Sequence, residues 1–164
     1  AWPSGAAHDR RAWVEVIAYD DAGQVIFSSG VVPEGQDPEA IGDPNLAGLW
    51  DRTYKDDGSP AHFFWEVARY DSQLLQPAVT TDPNDPRYDH STTFTYPGIG
   101  ALARVAKITA RVRLRALPLA TLDDLIASQD LDPAVKATVT TLDLAGAQRT
   151  WTPATQDPSS RCVN

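Results

Sequence analysis

The densest grouping of chemically capable side chains is Asp82-Pro-Asn-Asp-Pro-Arg-Tyr-Asp-His90. Asp82, Asn84, Asp85 and Asp89 bring oxygen donors close together along the chain. A hard cation such as Ca²⁺ takes about six to eight oxygens from side chains of this kind and from backbone carbonyls. The segment is not an EF-hand, because the loop glycine and the terminal glutamate are missing and prolines interrupt it. The same Asp-Pro and Asn-Asp pairs also suit plain turns, in which Asx side chains bond their own backbone. Asp37, Asp43, Asp51, Asp56 and Asp57, in an earlier loop, are the further oxygens a calcium site would draw on. Of the three histidines, His90 has these neighbours. His62 opens an aromatic run and reads as a strand-edge histidine satisfied by a backbone carbonyl. His8 sits in the N-terminal segment, where one imidazole alone makes no metal site.

Support for catalysis is thin. No serine lies in a Gly-x-Ser-x-Gly elbow, and no glycine loop is built to cradle phosphate. Glu15 and Glu66 are the one carboxylate pair to consider as general acid and base, as on sandwich-fold glycosidases. Each falls in a predicted strand among apolar residues, where it reads equally well as facing solvent or pairing with an arginine. Arg111, Arg113 and Arg115 recur at alternate positions. This basic stripe reads either as a wet strand face balanced by neighbouring carboxylates or as a docking face for an acidic partner or haem propionates. Trp2, Trp50 and Trp65 could stack on carbohydrate, although tryptophan is more often core.

Composition narrows the class. The 164 residues suffice for one domain with a real core, and the formal net charge is −8. Such an acidic chain repels phosphates, which excludes general nucleic-acid binding and docking on anionic lipid. No apolar run approaches the length of a membrane span. Five Trp, five Tyr and four Phe supply enough burial to exclude a disordered chain. Thirteen prolines favour a loop-rich β domain over a helix bundle. The single cysteine, Cys162, excludes an internal disulfide and a Cys-based zinc site. The chain holds no Met, even at position 1, so we expect it to be a fragment of a longer precursor.

These residues are positioned by mostly β elements. Arg11-Ala-Trp-Val-Glu-Val-Ile-Ala-Tyr19 is β-branched and aromatic, with apolar groups on both faces, and predicts a central strand. Asp20-Asp-Ala-Gly23 is a turn, and residues 24–30 return as the second strand of a hairpin. The polar stretch 31–60 is long for a structureless loop, so it should cross the core through Leu46, Leu49 and Trp50. Strands are expected at 62–70 and 91–96. Residues 104–116 alternate cleanly: Ala106, Ile108, Ala110, Val112 and Leu114 on a buried face, Lys107, Thr109 and the arginines on a wet one. A short helix follows at 122–128, started by Thr121 with Asp124 three residues on. Asp132-Pro133 starts one further turn. Residues 139–144 and 148–151 predict a last hairpin. The expectation is an antiparallel immunoglobulin-like β-sandwich over 1–152, with a short helical insertion near 121–137 and a polar tail at 153–164.

Trp2-Pro-Ser-Gly5, Arg10-Arg-Ala-Trp-Val-Glu-Val16 and Asp21-Ala-Gly-Gln-Val-Ile-Phe-Ser-Ser-Gly30, in that order, resemble a segment of multihaem c-type cytochromes. Leu114-Arg-Ala-Leu-Pro118 and Asp130-Leu-Asp-Pro133 resemble later text of the same group. The match is good over the first thirty or so residues and loose over 104–145. In that family the segment follows the haem-binding region and opens a C-terminal immunoglobulin-like domain. The family's glycine-histidine pair, whose imidazole is implied as an axial haem ligand, would fall before Ala1. No Cys-x-x-Cys-His occurs, so haem is not attached through that motif here. The resemblance implies a non-catalytic, extracytoplasmic (periplasmic or cell-surface) β domain, serving assembly or partner docking in electron transfer. Haem would belong to the parent, and the partner would be the parent's haem-bearing part or a redox protein. His8, Arg10 and Arg11 are then the haem-proximal candidates. A carbohydrate- or calcium-binding sandwich module is the alternative.

Overall fold

The computed structural model describes residues 7–75, 80–85, 88, 92–100 and 104–155. The fold is mostly β, antiparallel and sandwich-like. Its strands are β1 (Arg11–Tyr19), β2 (Val25–Ser29), β3 (Ala47–Gly48), β4 (Asp51–Tyr54), β5 (Arg69–Ser72), β6 (Lys107–Arg115), β7 (Thr141–Asp143) and β8 (Arg149–Trp151). Its helices are α1 (Pro97–Gly100), α2 (Leu119–Ala127) and α3 (Pro133–Lys136). β4 and β5 form a separate two-stranded sheet, and the other six strands form the main one.

The main sheet is built on β1 and β6, which pair along their whole length from Arg11↔Arg115 to Tyr19↔Lys107. β2 and β3 share the outer edge of β1: Val16–Tyr19 pair with β2, and Trp13 and Val14 with β3. β7 and β8 share the outer edge of β6 in the same way. The expected last hairpin is therefore a single edge strand in two pieces. Leu144 N continues the ladder onto Val112 O at 2.9 Å, and the chain then leaves through a turn at Gly146 (φ +76°).

β1 is central, with Ala12, Trp13, Glu15, Val16 and Ala18 buried. The long 31–60 stretch does pack inward. Trp13, Val32 and Trp50 form the core cluster, with Ile41 and Leu46 against it. Trp50, just before β4, lays its ring on Gly48 of β3, where any Cβ would overlap it.

Other elements differ from expectation. Residues 62–70 are not one strand. Phe64–Glu66 form a 3-10 turn and only Arg69–Ser72 is extended. Glu66 folds its carboxylate back onto the amides of His62 and Phe63 at 3.3 and 3.4 Å, which favours the turn over a ladder. Residues 92–96 carry no strand, and Ser91 lies outside the described residues. α2 begins at Leu119 rather than 122, because its first amides are capped from far away and not by Thr121: Asp37 Oδ1 and Oδ2 accept from Leu119 N and Ala120 N, each at 2.8 Å. α3 starts as its sequence signals, with Asp132 accepting from Ala134 N at 2.9 Å ahead of Pro133. Pro153–Thr155 form a 3-10 turn, and the rest of 153–164, Cys162 included, lies outside the described residues.

Candidate functional site

The arginine stripe requires the largest correction. Cα partners share a face, so the register puts Arg113 beside Trp13 and Arg111 beside Glu15. The arginine face is thus the face that carries the tryptophan core, and it grades from an exposed Lys107 to a fully buried Arg115. Arg115 is fully buried. Its Nη1 donates to Gln36 O at 2.5 Å and lies 3.4 Å from Asp37 Oδ1, while Nη2 donates to Thr141 Oγ1 at 2.9 Å. Arg113 and Arg115 both hold their guanidinium carbons 5.9 Å from the Trp13 ring centre.

Arg111 and Arg113 close a ring of charge with two carboxylates. Glu15 Oε1 accepts from Arg111 Nε at 2.7 Å, and Glu15 Oε2 from Arg113 Nη1 at 3.1 Å. Asp143 accepts from Arg111 Nη1 at 2.8 Å and from Arg113 Nε at 3.1 Å. Two cations and two anions cancel, with Glu15 only 5% exposed. The hydrogen bond it donates to Glu15 holds the Arg111 guanidinium above its ordinary pKa. Arg111 and Arg113 thus meet carboxylates of this chain, Arg111 with a third of its side chain still in solvent, and Arg115 alone is withdrawn from the surface altogether.

The general acid–base pair also dissolves. Glu15 belongs to that ring, and Glu66 accepts from Lys55 Nζ at 2.7 Å. That lysine hydrogen bond holds the Glu66 carboxyl below its ordinary value, the wrong direction for a general acid at neutral pH.

The haem-proximal candidates divide. Arg11 points inward: Nε meets Glu39 Oε1 at 2.5 Å, Nη1 donates to His8 O at 2.6 Å, and the guanidinium lies 5.5 Å from the Trp50 ring centre. Arg10 is exposed just before β1. His8 is half-buried, with Nε2 3.1 Å from Asp9 Oδ1. It helps line a cleft of about 270 Å³ with Asp51, Thr53, Phe64, Val67 and Tyr70. Nothing in the sequence marked this cleft. The sequence singles out His8 and Asp51 for other roles and places Phe64 and Tyr70 in one expected strand, so their meeting in one cleft has no local signature.

In the acidic loop, Asp82 Oδ1 accepts from Asn84 N at 2.9 Å and from Asn84 Nδ2 at 3.1 Å, an Asx turn. Asp85 N bonds back to Asp82 O. Asp89 and His90 lie outside the described residues. Among the described residues, no group of three or more His, Cys, Asp or Glu is placed to hold a metal ion. His62 has a carboxylate partner where a backbone carbonyl was expected, with Nδ1 2.5 Å from Asp124 Oδ2 of α2. Trp50 is core, and Trp65 is 68% exposed. Phe63 stacks on Trp65 at 4.8 Å between ring centres, and Phe64 meets Trp65 edge-on at 4.9 Å.

Among solved structures, the chain is similar to the crystal structure of a penta-heme cytochrome c552 from Thermochromatium tepidum. The TM-score is 0.51 at 20% identity, over 92% of this chain and 32% of that one. The two share a fold. No protein-family model matches the chain, and no curated protein matches it. The chain thus spans about a third of the length of the cytochrome it is similar to. No helix among the described residues is long and apolar enough to cross a membrane.

Proposed function

We propose that this chain is a non-catalytic, extracytoplasmic β domain of a multihaem cytochrome-like protein, serving assembly or partner docking in electron transfer. The observation that carries the reading is the fold likeness to a penta-heme cytochrome, which takes in 92% of this chain but 32% of the cytochrome. The order of the Arg10-Arg11 strand, the Asp21 turn and the Ser29-Gly30 strand end supports it from the sequence. Haem then resides in the parent, since this chain has no Cys-x-x-Cys-His. His8 and Arg10, just ahead of β1, are the haem-proximal residues left at the surface, and Arg11 supports that segment from inside. The internal ion pairs of Glu15 and Glu66 favour a domain that does no chemistry of its own. Sequencing the parent gene tests the reading: Cys-x-x-Cys-His motifs upstream of Ala1 are expected, and their absence ends it.

Exposed Phe64, Trp65 and Tyr70 favour a carbohydrate-binding module as the second reading. Calorimetry against a glycan panel is expected to give heat in that case, and no heat removes it. The same instrument with Ca²⁺ decides whether the Asp82 loop binds a cation in solution.

A further inference from the structure

We propose that the pocket between the 37–46 segment and β4 binds a small organic acid, an apolar body ending in one carboxylate, with the Arg52 guanidinium as its partner. The proposal goes beyond the cytochrome reading and does not depend on haem.

The pocket holds about 700 Å³, within the size range of sites for small organic ligands. Pro38, Pro44, Leu46, Pro60 and Ala61 give it apolar walls. Arg52 and Tyr54, two apart on β4, share a face and line it, and Gln73 joins them from just beyond β5. The charged lining is unevenly used. Asp37 accepts from the first two amides of α2 and stands beside Arg115, and Glu39 pairs with Arg11. Asp43 accepts from Ser29 Oγ, Gly30 N and Asn45 N at 2.8, 2.7 and 2.8 Å. Each lining carboxylate therefore already has donors from this chain, and His62 is taken by Asp124. Arg52 is the opposite case. Its guanidinium carbon stands 6.0 Å from the Trp50 ring centre, and it has no hydrogen bond or ion pair among the described residues. Asp71, its neighbour across the ladder, pairs with Arg69 instead at 3.4 Å. The Tyr54 hydroxyl and the Gln73 side-chain amide likewise have no partner among the described residues.

The unused groups thus offer N–H and O–H donors and one positive charge, set against apolar walls. A carboxylate on an apolar body answers both, its two oxygens matching the guanidinium fork while its body covers the prolines. The net charge of −8 opposes an anion at long range, which selects a single carboxylate over a phosphate or a polyanion. A peptide strand has no place to pair, because both edges of β4 are filled. β5 takes one edge, and on the other Ala61 N donates to Thr53 O at 2.9 Å.

The test is a ¹H–¹⁵N NMR titration of the full chain with hydrocinnamate, its neutral isostere hydrocinnamamide, and the peptide acetyl-alanyl-alanyl-phenylalanine. Hydrocinnamate should saturably shift the amides of Arg52, Tyr54, Ala61 and Gln73, with the neutral amide weaker by about tenfold or more. Arg52→Gln should weaken hydrocinnamate by about tenfold with the spectrum otherwise retained. Equal binding of the acid and its amide, tighter binding of the peptide, no shifts at the pocket, or unchanged binding in folded Arg52→Gln each overturns the proposal. If Arg52→Gln does not fold, Arg52→Lys decides, because it keeps the charge and loses the fork: weaker hydrocinnamate binding supports the proposal, and unchanged binding overturns it.

Discussion

The carboxylate of Glu15 lies in the middle of β1 and takes a hydrogen bond from Arg111 Nε, 96 residues further along, at 2.7 Å. Glu15 is the inner half of a charge ring whose outer half, Asp143, is 50% exposed. That asymmetry of burial decides what each member contributes.

Replacing Glu15 leaves Arg111 and Arg113 facing each other with one partly solvated aspartate between them. Glu15→Gln should therefore destabilise by about 3 kcal/mol, the range for breaking a buried pair. Asp143→Asn should cost less than about 1 kcal/mol, since water screens that side. Urea unfolding midpoints of the two variants check the ordering, and equal losses contradict it.

Asp37 has two jobs, closing the first turn of α2 and standing beside the buried Arg115. Asp37→Ala should remove a cap and leave the Arg115 charge short of a partner, for a combined loss of about 2–4 kcal/mol. Loss of hydrogen-exchange protection at Leu119 through Leu122 before the rest of the sheet would mark the cap as the first casualty.

Gly30 has φ +69°, and a Cβ there would meet the backbone carbonyl of Val14 on β1. Its own carbonyl accepts from Trp13 Nε1 at 2.9 Å, so movement to relieve the clash costs the core tryptophan its partner. Gly30→Ala should cost about 3 kcal/mol or more, against under about 1 kcal/mol for Gly35→Ala, which has the same backbone sign but open space. Thermal midpoints of the pair separate clash from backbone preference.

Tyr96 has its phenol pushed up to about 12, first by burial and then by the charge of Asp43. A raised folded value means the native state keeps a proton that the unfolded chain has already released. Stability is then full below the unfolded value near 10 and falls as pH rises towards 12. The Tyr96 hydroxyl is buried with no partner among the described residues, so Tyr96→Phe should be neutral or slightly stabilising at pH 7. It should also flatten the alkaline decline, read by urea unfolding at successive pH values.

Lys55 and Glu66 shift in opposite directions because each hydrogen-bonds the other. Glu66, lowered, supports the fold above its unfolded value of 4.5, and that support fades as pH falls through the folded value. Lys55, raised, supports it below 10.5 and loses that support as pH rises beyond. Lys55→Gln should move the Glu66 carboxyl midpoint, followed by ¹³C NMR, back towards 4.5.

What could be read from the sequence was whatever is local. The β1–β2 hairpin, the extent of β6 and the Asp132-Pro133 start of α3 depend on residues near one another, and their patterns are plain. The faces of β6 were not readable. Alternation says that Arg113 and Leu114 point opposite ways, but only Glu15 and Trp13, far off in sequence, decide which way is in. An arginine whose neutralising partner is remote looks like a solvated one. Meanwhile Leu142 and Leu144, beside the aliphatic face, are 57% and 40% exposed. The start of α2 failed for the same reason, because Asp37 caps it across a separation of 82 residues. The cleft had no local signature at all, being assembled from three separate stretches.

The full-length pairing of β1 with β6 also sets a clock. Its rungs join partners some 96 residues apart, so a long stretch of chain must be closed into a loop before the first of them is rewarded. A chain emerging from the ribosome holds β1 with only β2 and β3 beside it until β6 has been made, leaving its other edge and the Glu15 carboxylate without partners meanwhile. Closing the sheet should therefore be slow, with the β6-facing edge of β1 the one most exposed to wrong partners during the wait.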